Sequence, residues 1–182
     1  MSKLNNTCVK DILCARGIRS YSHIAFHVKD MDTILNFYCG KLGMKQKFTI
    51  TTDTTIEMFR AQQAAGEAIS DGARPHIEYA LAHPGLPLIT YVEMAPRQFL
   101  EFFYVYEDLA QPGDLAGKYG YQHLSIEVED IHEAWDALVA NGIQPDTEIS
   151  MGPDRTWQFW IHDPEGNRIE MMQYTPQSLQ VQ

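Results

Sequence analysis

The segment YSHIAFHVKD at residues 21–30 returns without a gap as YQHLSIEVED at residues 121–130. In both copies apolar residues alternate with other residue types, as they do in a strand with one buried face. Asp30 and Asp130 then stand where a helix N-cap is expected, and Glu133 completes a possible capping box with Asp130. A duplicated unit constrains architecture more firmly than local propensity does, so the repeat predicts two modules of one fold.

The segments after each copy predict one helix and three further strands. Each helix has an apolar stripe at helical spacing and ends near Gly43 or Asn141-Gly142. Segments rich in β-branched and aromatic residues predict the strands 45–52, 88–94 and 98–106 in the first module and 143–150, 156–161 and 167–174 in the second. The stretch DPEGN at 163–167 has the composition of a hairpin loop.

Composition and charge narrow the class of protein. The chain has 182 residues, 45% of them hydrophobic, which is enough for a real core. A formal net charge of -10 argues against a nucleic-acid partner, and no long apolar stretch predicts a membrane partner. Three cysteines at Cys8, Cys14 and Cys39 lack the spacing of a disulfide framework or metal finger, so we expect a reducing, cytoplasmic location.

Each module offers a histidine on its first strand and a glutamate in the middle of its last strand. The pairs are His23 with Glu101 and His123 with Glu170, and both glutamates have apolar neighbours. An unpaired carboxylate in such surroundings loses hydration, which a divalent cation would offset. Any one of these residues alone is better read as structural, but all four recur at matched positions. They therefore predict one metal site with two imidazole and two carboxylate ligands.

These elements define the expected fold class, α+β, with two pseudo-symmetric βαβββ modules forming a curled mixed sheet around a metal-binding cleft. Residues 1–19 are an N-terminal extension, 20–107 the first module and 120–175 the second. The first module carries an insertion at about 53–87, part of which could be helical. A surface elaboration is favoured over a substrate lid for this insertion.

Three motifs carry a resemblance to a known family: HIAFHVKD at 23–30, NFY at 36–38 with LGM at 42–44, and DPEGNRIE at 163–170. Over about residues 20–174 the chain resembles the glyoxalase/bleomycin-resistance/dioxygenase superfamily, also called vicinal oxygen chelate, and especially glyoxalase I. The resemblance places the metal ligands at the four positions named above. We expect Zn2+ or Ni2+, with Co2+, Mn2+ or Fe2+ as alternatives. The family's usual arginine and asparagine for glutathione are His27 and Val105 here, so the resemblance does not extend to that thiol.

The resemblance implies a lyase that moves a proton through a metal-stabilised enediolate, on a small substrate with vicinal oxygens such as a methylglyoxal-thiol hemithioacetal. It favours Glu170 as the catalytic base, with Glu101 as the alternative catalytic residue. A homodimer is expected, and the site could lie within one chain or across a swapped dimer. The open alternatives are an epimerase, a thiol transferase, an extradiol dioxygenase or a metal-free small-molecule-binding resistance protein.

Overall fold

A computed structural model describes residues 21–70, 73–106 and 121–182 of the chain. The predicted extension 1–19 and the predicted module limits at 107 and 120 lie outside the described residues. The domain boundaries therefore stay predictions. No helix within the described ranges combines the length and the apolar character needed to cross a bilayer.

The first module is a four-stranded mixed sheet with a helix after its first strand. Asp30 caps that helix, because its side chain accepts a hydrogen bond from the Thr33 amide at 3.0 Å. The strand order is β1-β4-β3-β2, with β1 parallel to β4 and the other pairs antiparallel. The elements are β1 (His23–Val28), α1 (Met31–Leu35) with a π-helical continuation (Asn36–Lys41), β2 (Lys45–Thr51), β3 (Pro87–Ala95) and β4 (Gln98–Tyr104).

The insertion between β2 and β3 is mainly helical, with α2 (Thr52–Ala64) and α3 (Arg74–Ala82) packed together. Two hydrogen bonds tie its ends. Thr52 Oγ1 donates to the His83 carbonyl at 2.6 Å, and the Gly85 amide donates to Asp53 Oδ1 at 3.0 Å. These bonds join the start of the insertion to its end and so close its base beside the two strands that it connects.

The second module repeats the plan of the first, with strand order β5-β8-β7-β6 and β5 parallel to β8. Its elements are β5 (Leu124–Glu127), α4 (Ile131–Ala140), β6 (Ser150–Met151), β7 (Trp157–His162) and β8 (Arg168–Gln173), followed by a 3-10 turn (Leu179–Val181). The predicted α+β class with two βαβββ modules is confirmed. The strands form two separate four-stranded sheets that do not close into one.

The strand predicted at 143–150 is wrong for most of its length, because only Ser150–Met151 pairs as a strand. Pro145 has no amide hydrogen to give to a ladder. The segment follows β7 through irregular bonds instead: the Asp146 amide donates to the Trp160 carbonyl at 2.8 Å, and the Trp160 amide donates to Thr147 Oγ1 at 3.1 Å.

The two modules share one hydrophobic core. Fully buried side chains come from both of them, among them Ile34, Tyr38, Leu100, Phe102, Ile131, Phe159 and Ile169. The 163–167 loop, predicted as a hairpin loop, joins β7 to β8 and also links the modules. Tyr38 Oη donates to Asp163 Oδ2 at 3.1 Å, and the amides of Lys29 and Asp30 donate to Glu165 Oε1 at 2.6 and 2.9 Å.

Candidate metal centre

The first histidine–glutamate pair forms on neighbouring parallel strands. His23 Nε2 lies 3.3 Å from Glu101 Oε2. In the strand register Ala25 is the partner of Glu101, and His23 precedes it by two residues, so both ligand candidates project from the same face of the sheet. The small Ala25 side chain leaves room between them. We call His23 with Glu101 the first half-site.

The second pair repeats this arrangement on β5 and β8. His123 Nε2 lies 3.5 Å from Glu170 Oε2, and the partner of Glu170 in the register is the small Ser125. We call His123 with Glu170 the second half-site. In both half-sites the imidazole is accessible and the carboxylate largely covered: the side chains are 43% and 9% exposed in the first and 35% and 13% in the second.

Both half-sites lie on the sheet faces that point away from the shared core. Leu100 and Phe102, which flank Glu101 along β4, are buried in that core, as are the two neighbours of Glu170, Ile169 and Met171. Because successive strand residues point to opposite faces, the two glutamates face outward. Accordingly, in the described part of the chain no three His, Cys, Asp or Glu residues are grouped so that they could hold a metal ion. The structure brings together each predicted pair but not all four residues.

The donor atoms suit the expected metals. Each half-site presents one imidazole nitrogen and one carboxylate oxygen toward the same space, and a pair of half-sites would supply two of each. Nitrogen and oxygen donors in that mixture fit Zn2+ and other first-row divalent cations. One half-site alone supplies too few protein ligands for a stable structural or catalytic site of this kind.

The side chain beside the glutamate differs between the half-sites. Tyr91, the antiparallel partner of Glu101, donates its hydroxyl to Glu101 Oε1 at 2.5 Å. Burial, followed by this bond to Glu101, raises the pKa of Tyr91 to about 12, so the phenol keeps its proton and remains a donor at neutral pH. The bond fixes one carboxylate oxygen and leaves the other directed at His23.

Trp160 occupies the equivalent position as the partner of Glu170. The Trp160 ring packs edge-on against the His123 ring, with 4.8 Å between the centroids. The guanidinium carbon of Arg168 also lies over the Trp160 ring, 4.2 Å from its centroid. Sequence reasoning missed both Tyr91 and Trp160. They could have been found by extending the strand register, because each stands at the same separation from its glutamate along the chain.

The two positions where the sequence departs from the glutathione pattern lie together. His27 follows His23 on the same strand face, its ring contacts that of Phe103 at 5.5 Å between centroids, and it lines a cavity together with Val105. Another histidine, His162, is paired elsewhere, with Asp146 Oδ1 at 2.7 Å. It takes no part in either half-site.

Comparisons with known proteins agree on the fold. A family model described as Glyoxalase/Bleomycin resistance protein/Dioxygenase superfamily matches residues 20–171. A search of curated proteins gives no match. Among solved structures, a glyoxalase family protein from Enterococcus faecalis is 19% identical with a TM-score of 0.57, covering 85% of this chain and 97% of that one.

Two further solved structures show the range of relatives. A glyoxalase/dioxygenase from Nostoc punctiforme is 18% identical with a TM-score of 0.56, covering 94% of this chain and 99% of that one. A lactoylglutathione lyase from Agrobacterium tumefaciens is 17% identical with a TM-score of 0.50, covering 85% and 92%. At such identities the likeness concerns the fold alone.

Proposed function

Because the chain belongs to the glyoxalase/bleomycin resistance protein/dioxygenase superfamily, we propose that it is a metal-dependent lyase of the glyoxalase I type. Its substrate would be a small molecule with vicinal oxygens, such as the hemithioacetal of a 2-oxoaldehyde and a thiol. The observation that carries this proposal is the matched register of the half-sites, His23 with Glu101 and His123 with Glu170.

We further propose that the metal centre is completed by a second copy of the chain. Within one chain both half-sites face away from the core that joins the modules, so they have no route to a common ion without separating those modules. In a dimer with twofold symmetry, the first half-site of one copy can meet the second half-site of the other. Such a dimer holds two equivalent metal centres.

The roles of the chain's own residues follow from the two environments. A divalent cation bound there would act as a Lewis acid that polarises a substrate carbonyl and acidifies the adjacent C–H. Glu101 is fixed by Tyr91, so it serves as a constant ligand and an orienting group. Glu170 lies beside an indole instead of a phenol, so this neighbour gives it no hydroxyl hydrogen bond. We therefore assign Glu170 the role of the base, which takes the proton from one carbon and returns it to the neighbouring carbon. This transfer converts the hemithioacetal into a 2-hydroxy thioester with no net redox change.

Mixing two inactive variants tests the shared site. His23→Ala inactivates the first half-site of a chain and His123→Ala inactivates the second, so each homodimer lacks activity. After random exchange of subunits about half of the dimers are mixed, and each mixed dimer has one intact centre of two, which restores roughly one quarter of wild-type activity. Isomerisation of the methylglyoxal hemithioacetal, followed by thioester absorbance, measures the recovery. No recovery, in a mixture shown by mass spectrometry to contain mixed dimers, would contradict the shared site.

A second candidate function is metal-free binding of a small molecule. The absence of any grouped metal ligands within the described residues of a single chain favours it if the protein is a monomer. Metal content and molar mass, measured together on protein purified without a chelating tag, separate the two. About one metal per chain in a dimer supports the lyase, and a metal-free monomer supports binding alone.

A further inference from the structure

The helical insertion forms one wall of a cavity of about 550 Å³. Phe59 from α2, and His76 and Tyr79 from α3, contribute to that wall. The opposite wall includes His27, Ile89 and Phe103 from the first sheet. The volume of the cavity falls within the roughly 300–1,000 Å³ typical of small-molecule sites. We call it the insertion pocket.

The insertion pocket opens beside the first half-site. His27 lies four residues beyond His23 on β1, while Phe103 and its antiparallel partner Ile89 share the face of the sheet that carries Glu101. Strand geometry places Phe103 about 7 Å from Glu101 and His27 about 13 Å from His23. A substituent attached to the reacting carbons of a substrate held at the half-site would therefore reach this pocket.

The lining of the insertion pocket is mainly aromatic and aliphatic. None of the described residues that line the pocket is Asp, Glu, Lys or Arg. Seven of the lining side chains carry aromatic rings or imidazoles: His27, Phe59, His76, Tyr79, Phe103, Tyr104 and Tyr106. A carboxylate entering the pocket would lose hydration, and no ammonium or guanidinium group of the described lining residues would pair with it. A flat apolar group would instead bury its surface against ring faces and edges.

We infer that the insertion pocket selects substrates whose vicinal oxygens carry an aromatic or bulky apolar substituent, and that it disfavours anionic groups in that position. This inference rests on the proposed function for the reacting centre, whereas the pocket itself is made by the insertion and the first sheet. The insertion is thus a specificity element for the substrate. Its role goes beyond that of a surface elaboration.

Binding to metal-free protein tests the pocket separately from the chemistry. The probes are benzyl methyl ketone and acetone, which share a ketone and differ by a phenyl ring, titrated into chelator-treated protein and followed by amide NMR shifts. We expect at least about tenfold tighter binding of the phenyl compound, with shifts at residues of the pocket. Phe59→Ala should weaken binding of the phenyl compound by at least about fivefold. Met58 is an exposed neighbour on the same helix that does not line the pocket, so Met58→Ala should leave this binding unchanged.

Thr55→Phe provides a second variant that fills the pocket without creating a cavity, and it should also reduce binding of the phenyl probe.

In the metal-loaded dimer, the kcat/KM for the phenylglyoxal hemithioacetal of 2-mercaptoethanol should exceed that for the methylglyoxal adduct by at least about tenfold. Phe59→Ala should reduce that ratio.

Probe binding to the metal-free protein and turnover by the metal-loaded protein together separate the proposed pocket from the proposed lyase. Phenyl binding that depends on Phe59, in a protein with no isomerase activity on either adduct, would overturn the proposed lyase and retain the pocket. Isomerase activity with equal kcat/KM for both adducts, together with no preference for the phenyl probe, would overturn the pocket and retain the lyase.

Discussion

The first and second half-sites share one backbone plan and differ in the residue that pairs with the glutamate. In the first, Tyr91 donates a hydrogen bond to Glu101, and in the second, Trp160 packs on His123. The repeat thus fixes where the proposed ligands stand, while the neighbouring side chain decides whether a hydroxyl hydrogen bond holds the carboxylate. Two chemically equal carboxylates can in this way take unequal roles, one as a fixed ligand and the other as a base.

The largest effect on activity should come from replacing the two glutamates, and the two replacements should differ in kind. Glu170→Gln removes the proposed base, so we expect kcat to fall about 10²- to 10⁴-fold. Glu101→Gln removes the proposed fixed ligand, so we expect the metal affinity of this variant to fall most, and its activity to recover in part as the metal concentration rises. Steady-state rates measured across a metal titration distinguish the two variants.

Circular dichroism of both variants provides the control, because a Glu→Gln change keeps the side-chain shape and should leave the fold intact. Full activity in Glu170→Gln would remove Glu170 from the mechanism. If added metal restored the activity of Glu170→Gln to the same extent as that of Glu101→Gln, the two half-sites would be equivalent.

A smaller effect should follow from removing the hydroxyl that holds Glu101. Tyr91→Phe deletes the hydrogen bond and keeps the ring stacked on Phe48, so metal affinity should fall roughly 10- to 100-fold. The matched change in the other half-site, Trp160→Phe, should alter affinity by less than about threefold, since no hydroxyl is lost there. Competition with a chromophoric chelator measures both affinities, and equal losses in the two variants would contradict the asymmetry.

The repeat made much of this arrangement predictable. Strand alternation and the offset between the copies identified both pairs, and the pairs form as strand geometry requires: His23 beside Glu101 and His123 beside Glu170. Alternation says which residues share a face of a strand. It does not say which face the other module covers, because that depends on packing between elements distant in sequence. The outward direction of both half-sites was therefore not predictable.

Two local features also escaped prediction, for different reasons. The segment 143–150 has the composition of a strand, but Pro145 interrupts the hydrogen-bond ladder. The strand prediction followed the composition and gave too little weight to the proline. The sequence predicts that the insertion is partly helical, yet the pocket that it forms with His27 and Phe103 depends on where α2 and α3 pack against the sheet. The preference for a surface elaboration over a substrate lid stays a prediction.

The smallest expected effect concerns how the modules are held together, and here too the two copies of the repeat differ. Glu165 accepts two hydrogen bonds from the amides of Lys29 and Asp30, at the strand–helix junction of the first module. Glu165→Ala leaves these amides to water, so we expect the free energy of unfolding to fall by about 1–2 kcal/mol. Glu129→Ala, an exposed position at the matching junction of the second module, should cost less than about 0.5 kcal/mol. Urea unfolding of both variants measures the difference, and equal costs would mean that Glu165 contributes no more to stability than an exposed surface carboxylate.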